Sequence, residues 1–377
     1  MRRFVHWLAA AIAFFGAARG VAAWHGRDAD ALFDGELETQ RERARAMDAW
    51  TEADLDRGDF ATGSARFDGE WLFATRMMAV LGYAQTALAN PALRNENLAR
   101  MDDCLDRLAH PDARRFDREA WGHDALADLG TTRDHVGYLG YLSLALAVTR
   151  AVNPETRHAA LEARGMRHLV ERAAASELGL LETYPGEVYP IDNTSFFGAL
   201  GLHDRITGED HTMLRARLSR TLEVRYRDPR TGLLYQRVDP DDGAPLDGPR
   251  GSGTALAAYF LSFGDAPLSR SLYGSIRGHL VRSTLGFGTT REHPAGTGGW
   301  GDVDSGPVLL GQGVSVTGFT LALARMYGDR ETFRAHWATA SFFGGPVDGH
   351  HAMGGPIGDA LLFALTSALP PRYWENT

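Results

Sequence analysis

Val136-Gly137-Tyr138-Leu139-Gly140-Tyr141-Leu142-Ser143-Leu144-Ala145-Leu146-Ala147 is apolar on nearly every side of a helical wheel, and it closes at the turn Val152-Asn153-Pro154-Glu155. A helix without a polar face is one that neighbours bury all round. The phrase returns at Gly318-Phe319-Thr320-Leu321-Ala322-Leu323-Ala324-Arg325, which also stops at a turn, Tyr327-Gly328-Asp329. Three more turns of this kind are Ala89-Asn90-Pro91-Ala92, Thr207-Gly208-Glu209-Asp210 and Phe263-Gly264-Asp265. With Asn90, Asn153, Glu209, Asp265 and Asp329 as markers, the turns fall 56 to 64 residues apart. One helix hairpin fits each interval, and a repeat of this length is a statement about architecture. About twelve helices in such hairpins predict an all-α (α/α)6 toroid, with an inner ring around a funnel and the active loops at one mouth. Strands are expected only as short loop pieces, most clearly across Tyr226 to Val238.

The chain has 377 residues, 44% of them hydrophobic, enough for one large core. No Pro/Ser/Gly-rich linker divides it, so residues 24–377 read as one toroid domain. The net charge of −9 argues against nucleic acid, whose binding needs basic groups against phosphate. The sequence contains no lysine, which removes Schiff-base, P-loop and Ser-x-x-Lys chemistry. Cys104 is the single cysteine, so an intrachain disulfide and a Cys-rich metal site are both excluded. Its acidic helical setting, Asp102-Asp103-Cys104, suits a buried thiol better than a nucleophile.

Residues 1–23 read as an export signal or an N-terminal membrane anchor. Arg2 and Arg3 form a basic start, Phe4 to Ala18 an apolar run interrupted by His6, and Val21-Ala22-Ala23 a cleavage-site pattern before Trp24. The run is shorter than the roughly 20 residues of a spanning helix, which favours cleavage over retention. The expected location is therefore outside the cytoplasm, periplasmic or extracellular, with a membrane tether if residues 4–18 are kept.

Four loops rich in Gly, Pro and acids precede the apolar helices. Thr183 to Asn193 holds Tyr184, Glu187, Tyr189 and Asp192; Gly248 to Gly253 holds Arg250; Arg291 to Pro307 holds Glu292, His293, Trp300, Asp302 and Asp304; Asp348 to Pro356 holds His350 and His351. In Gly299-Trp300-Gly301-Asp302-Val303-Asp304 two carboxylates stand two residues apart and, on extended backbone, point the same way. Close carboxylates push one pKa up and so supply an acid and a base. The plainer alternative has Asp304 or Ser305 capping a helix near Pro307 and Asp302 binding turn amides. Asp192 has the same two readings, acid or N-cap. Tyr138 and Tyr141 donate hydrogen bonds into the cavity if they line it, and otherwise belong to the core. Arg250 pairs with a loop acid or a substrate anion. Asp348, His350 and His351 have the chemistry of metal ligands but lack a third well-placed donor, so no metal is expected.

From about Phe67 to Leu369 the chain resembles the linalool dehydratase/isomerase family of exported (α/α)6 toroids. The likeness rests on Tyr189-Pro190-Ile191-Asp192-Asn193-Thr194, on Asp228-Pro229-Arg230-Thr231-Gly232-Leu233 and on Thr320 to Asp329. It implies the toroid and, more loosely, addition or removal of water at an allylic alcohol. That family works with cavity acids, a Tyr, a His and two Cys. Here Thr183 and Asp192 fall at the cysteine positions, Tyr141 at the histidine, and Ser252 or Gly253 near one tyrosine, so no catalytic residue carries over.

The leading expectation is thus a cofactor-independent acid/base hydro-lyase or isomerase on a small neutral alcohol. Asp192, Asp302 and Asp304 are its candidate acids and bases. Tyr138, Tyr141, Tyr184, Glu187, Tyr189, Arg250, Glu292, His293 and Trp300 are its substrate-lining set. The alternatives are an inverting glycoside hydrolase with paired carboxylates on the same toroid and a non-catalytic ligand-binding or envelope protein. A homo-oligomer is compatible with the sequence.

Overall fold

The computed structural model describes residues 2–303, 305–347 and 350–375. The chain begins with α1 (Arg2–His25), α2 (Ala29–Asp34) and α3 (Leu37–Glu52). Inner and outer helices then alternate. The first pair is α4 (Ala65–Ala89) and α5 (Arg94–Leu108). A short α6 (Arg115–Trp121) leads to α7 (Val136–Val152) and α8 (Ala159–Ala175). The next pairs are α9 (Pro190–Thr207) with α10 (Thr212–Arg225), α11 (Gly251–Leu261) with α12 (Ala266–His279), and α13 (Val314–Met326) with α14 (Arg330–Gly344). The last inner helix is α15 (Gly355–Thr366), followed by the short α16 (Arg372–Glu375).

Each inner helix packs on the next, and α15 packs on α4, so the ring closes. The sixth outer helix is α3, which lies against both α15 and α4. The result is an (α/α)6 toroid, as the repeat predicts. The repeat markers are helix caps: Asp265 and Asp329 accept from the backbone amides of Leu268 (3.1 Å) and Thr332 (3.2 Å), and Gly208 ends α9 at φ 75°. Inner-to-outer turns are short. Every outer-to-inner connection is longer, from the segment between Leu108 and Val136 to that between Gly344 and Gly355. All of these long segments therefore gather at one end, the mouth.

Among the described residues the strands are three antiparallel hairpins at that end: β1 (Val281–Thr284) with β2 (Phe287–Thr290), β3 (Val308–Leu309) with β4 (Gln312–Gly313), and β5 (Pro346–Val347) with β6 (His350–His351). Two expectations are corrected. The segment from Tyr226 to Val238 makes only isolated bridges, Arg227 to Leu234, Tyr235 to Pro249, and Val238 to Val188 and Pro245, because no continuous strand lies beside it. The helix expected near Pro307 begins at Val314, because Leu310 and Gly311 at φ 52° and 79° turn the chain back into β4 first. Ser305 therefore caps a turn and no helix.

Candidate active site

Inner helices meet solvent at their ends, in some last turns at the far end and in the first two or three turns at the mouth. There the half-buried positions are Glu70, Trp71 and Ala74 on α4, Gly137 and Tyr141 on α7, Asp192 on α9, Gly253 and Leu256 on α11, Gly318 on α13, and Leu361 and Leu362 on α15. Farther down, the inner ring is buried. These half-buried positions ring the mouth as a crater that is mostly apolar, with few acids.

Asp192 is held in that crater. Pro190 starts α9 at its first position, where its missing N–H is no loss. The Asp192 side chain makes no cap bond. Its two oxygens instead accept from the Tyr141 hydroxyl at 2.6 Å and the Thr183 hydroxyl at 2.7 Å. Burial raises the Asp192 pKa, and these two hydrogen bonds offset that only in part. Tyr141 is fixed from behind by an edge contact with Phe260, centroids 5.4 Å apart.

Beside it, Tyr184 donates to Glu70 Oε1 on α4, and the Arg66 guanidinium lies 4.7 Å over the Tyr184 ring. The charges of Glu70 and Asp192 both act on Tyr184, whose hydroxyl burial drives well above its ordinary pKa. The Tyr189 hydroxyl donates to Glu187 at 3.1 Å, and Arg66 approaches the other Glu187 oxygen at 3.8 Å. Tyr141, Asp192, Tyr184, Glu187 and Tyr189 are therefore brought together.

The neighbouring sector, at the starts of α11 and α13, holds a second group. Glu292 is fully buried and accepts from Ser252 Oγ at 2.6 Å and Arg250 Nε at 3.0 Å. Arg250 reaches outward from it and forks onto Asp302, with one bond of 3.2 Å. Asp302 also accepts from the Ser305 amide at 2.9 Å. Burial is the largest single influence on Asp302 and works against its charge, but the Arg250 bond, the Ser305 bonds and the Arg250 charge together outweigh it and bring the carboxyl down to about 2. His293 is half-buried, with its pKa lowered by burial, and Nε2 has no partner. In this sector the acids act as a latch on the loop.

Two placements differ from expectation. Tyr138 is fully buried and donates to the Leu108 carbonyl at 3.0 Å, so it belongs to the core and not to the crater wall. Three residues along a helix is a net turn of only about 60°, but that turn faces Tyr138 onto Phe73 and Phe116 and leaves Tyr141 at the funnel. Trp300 is 95% exposed and touches no crater residue, because its glycine-flanked loop stands clear of the ring. Asp304 and Asp348 lie outside the described residues. His350 and His351 both bond Asp359, through Nδ1 at 2.9 and 2.8 Å.

Sequence reasoning missed two crater residues and one that stands behind them. Glu70 reads as an ordinary charged residue at the start of α4, and Thr183 as a loop residue. His135, buried at φ 49° between Asp117 (2.7 Å) and Asp128 (3.1 Å) and stacked on Trp121, lies just behind them. Burial lowers its pKa, but the two carboxylates more than reverse this. The legible signal was position: each stands within a few residues of an inner-helix start or its loop.

No family model matches the chain. Solved structures do resemble it. An inactive variant of the alpha-1,6-mannanase GH76A of Salegentibacter sp. HEL1_6, with two consecutive aspartates replaced by asparagine, was solved with alpha-1,6-mannotriose. It superposes with a TM-score of 0.54 at 12% identity, over 88% of this chain and 98% of that one. A second inactive variant of the same enzyme, solved with alpha-1,6-mannotetrose, gives 0.51 at 13% identity over the same shares. At these identities the likeness shows the fold. The neighbours are toroid glycoside hydrolases and not a linalool dehydratase/isomerase, so the resemblance to that family extends to the toroid and no further.

Proposed function

We propose that the crater is the active site of a glycoside hydrolase, with Asp192 as general acid and Glu70 as the second carboxylate. The observation that carries this reading is Asp192 itself. It is a half-buried carboxyl at the mouth, raised in pKa by burial, and its two oxygens are fixed by Tyr141 and Thr183. Such an acid stays protonated to a higher pH than a solvated one and can protonate a leaving oxygen. Glu70 is aimed by Tyr184. It stands on α4, separated from α9 by α7, which favours the wide carboxyl spacing of an inverting mechanism with room for water. Trp71 and Tyr189 offer faces for sugar rings. Support also comes from the shared toroid, since the mannanases above, solved with alpha-1,6-linked mannose oligosaccharides, have a ring of this kind. Arg250 and Asp302 serve here as loop positioning residues.

One observation favours the hydro-lyase or isomerase reading: the crater floor is leucine-rich at Leu256, Leu361 and Leu362. Purified full chain incubated with mannan oligosaccharides, other oligosaccharides and terpene alcohols separates the two. Asp192→Asn and Glu70→Gln are expected to lower glycoside turnover by about 10²- to 10⁴-fold with the melting temperature little changed. The anomer first released, followed by proton NMR, is expected to be inverted. Turnover of an alcohol with no action on any glycoside would overturn the proposal.

A further inference from the structure

One helix among the described residues is long and apolar enough to cross a membrane, α1, with a 20-residue window of mean hydropathy 1.4 that is 6% buried. At about 1.5 Å per residue such a window is about 30 Å long, the thickness of a bilayer core. The helix runs unbroken through Val21-Ala22-Ala23 to His25. Its last turn is built into the body. Ala22 is buried against the β1–β2 hairpin tip, and His25 meets Ser341 Oγ at 3.2 Å and the Phe342 ring edge-on at 5.1 Å. Ser341 and Phe342 end α14, an outer helix, and outer helices end at the mouth. Gly26 packs near Ala338, farther back along α14, so the N-terminal turns of α1 project past the mouth and not past the opposite end.

The same end carries exposed apolar side chains that a water-facing rim does not need. Phe343 is 66% exposed, Val347 59%, Leu309 63% and Leu310 99%, with Trp300 close to fully exposed and Phe342 at 44%. Trp300, Leu309 and Leu310 lie in the segment that leads into α13, Val347 in the one that leads into α15, and Phe342 and Phe343 in the last turn of α14, on which α1 packs. An apolar groove of about 490 Å³ runs between α1 and the hairpin tip, lined by Ile12, Phe15, Gly16, Arg19 and Leu285. Contiguous exposed apolar surface marks an interaction site. Its continuity with a helix of membrane length selects the occupant. Trp24, with Arg27 stacked 4.5 Å over its ring, is the aromatic and basic pair usual at a membrane interface.

We infer that α1 is retained as an anchor and that the apolar rim at the α13 and α15 sectors rests on the same bilayer, so that the crater opens toward lipid. Resting on the hydrolase reading, the substrate class is then a glycan carried on a lipid rather than a free oligosaccharide. The docking itself does not depend on that reading.

The test uses full-length chain in liposomes. Cys104 is fully buried, its thiol pushed by burial to about 12, so single cysteines introduced elsewhere can be spin-labelled selectively. Labels at Leu310→Cys and Phe343→Cys are expected to be relaxed by lipid-soluble oxygen and shielded from a water-soluble relaxant by several-fold. A label at Met213→Cys, at the opposite end of the ring, is expected to show the reverse. Water-exposed labels at both rim sites would overturn the docking. A membrane-derived protein whose intact mass begins at Trp24 would overturn the retained anchor. Loss of hydrolase activity alone, with the label pattern intact, would count against the function and leave the docking standing.

Discussion

At the scale of single residues, environment decides what each titratable group does. Asp192 and Asp302 are the same side chain at one mouth. Burial wins at the first, and an arginine together with the Ser305 bonds wins at the second. His336 shows the effect in a place without catalytic claims. It is fully buried on α14, its Nδ1–H donates to the Thr332 carbonyl, and its Nε2 accepts from the Thr290 hydroxyl at 2.9 Å. Burial lowers its pKa from 6.5 to about 4. Between those values the unfolded chain binds a proton that the folded chain refuses, so stability falls as pH drops through that window. For this one group the loss approaches about 3 kcal/mol by pH 4. The urea midpoint of the wild-type chain should therefore fall more between pH 7.5 and pH 5 than that of His336→Gln. Equal falls would refute the buried neutral imidazole.

Elements are held by how closely their backbones approach. Inner helices α9 and α11 cross at glycine: a Cβ built on Gly201 would overlap the Gly264 backbone at the end of α11. Backbone cannot rotate away as a side chain can, so the helices must part. Gly201→Ala is expected to destabilise by about 2 to 4 kcal/mol despite the better helix propensity of alanine, since overpacking outweighs the roughly 1 kcal/mol that propensity returns. A thermal melt unchanged or raised in this variant would show that the crossing is looser. The inner helices were readable for the same reason: Gly, Ala and Ser recur among Leu and Val in α7 and α13, which only tight all-round packing tolerates. The β1–β2 hairpin was not readable. Val281 to Thr290 is too short to show alternation, and its pairing depends on lying along α14.

For the whole molecule the decisive event is closure. The ring is completed by chain ends: α3 fills the outer position beside α15, and Trp50 on α3 donates to Asp359 on α15 at 2.7 Å. Arg325 fastens the same seam. It is 7% exposed, and its Nε donates to the carbonyls of Leu32 and Phe33, each at 3.1 Å, while another guanidinium nitrogen donates to that of Ala368 at 2.5 Å. Arg325→Leu would leave buried carbonyls unpaired, costing about 2 to 4 kcal/mol. Limited proteolysis should then cut first near residues 30–36 or 366–371. A variant as stable and as protease-resistant as the wild type would mean that closure rests elsewhere.

The number of hairpins, the alternation of inner and outer helices and the end at which long loops collect are all legible in the order of residues. These follow from hydrophobic periodicity and from capping residues, which act within one turn of chain. Composition also removed lysine and disulfide chemistry. Which acids meet is settled by the folded ring. Glu70 and Tyr184 are 114 residues apart and Asp302 and Arg250 are 52, so nothing local to any of them records the partner. The same is true of Tyr138 and Tyr141, three residues apart, where helix rotation against a closed ring sends one hydroxyl to the core and the other to Asp192. A pKa or a contact set by burial exists only once the ring has closed around it.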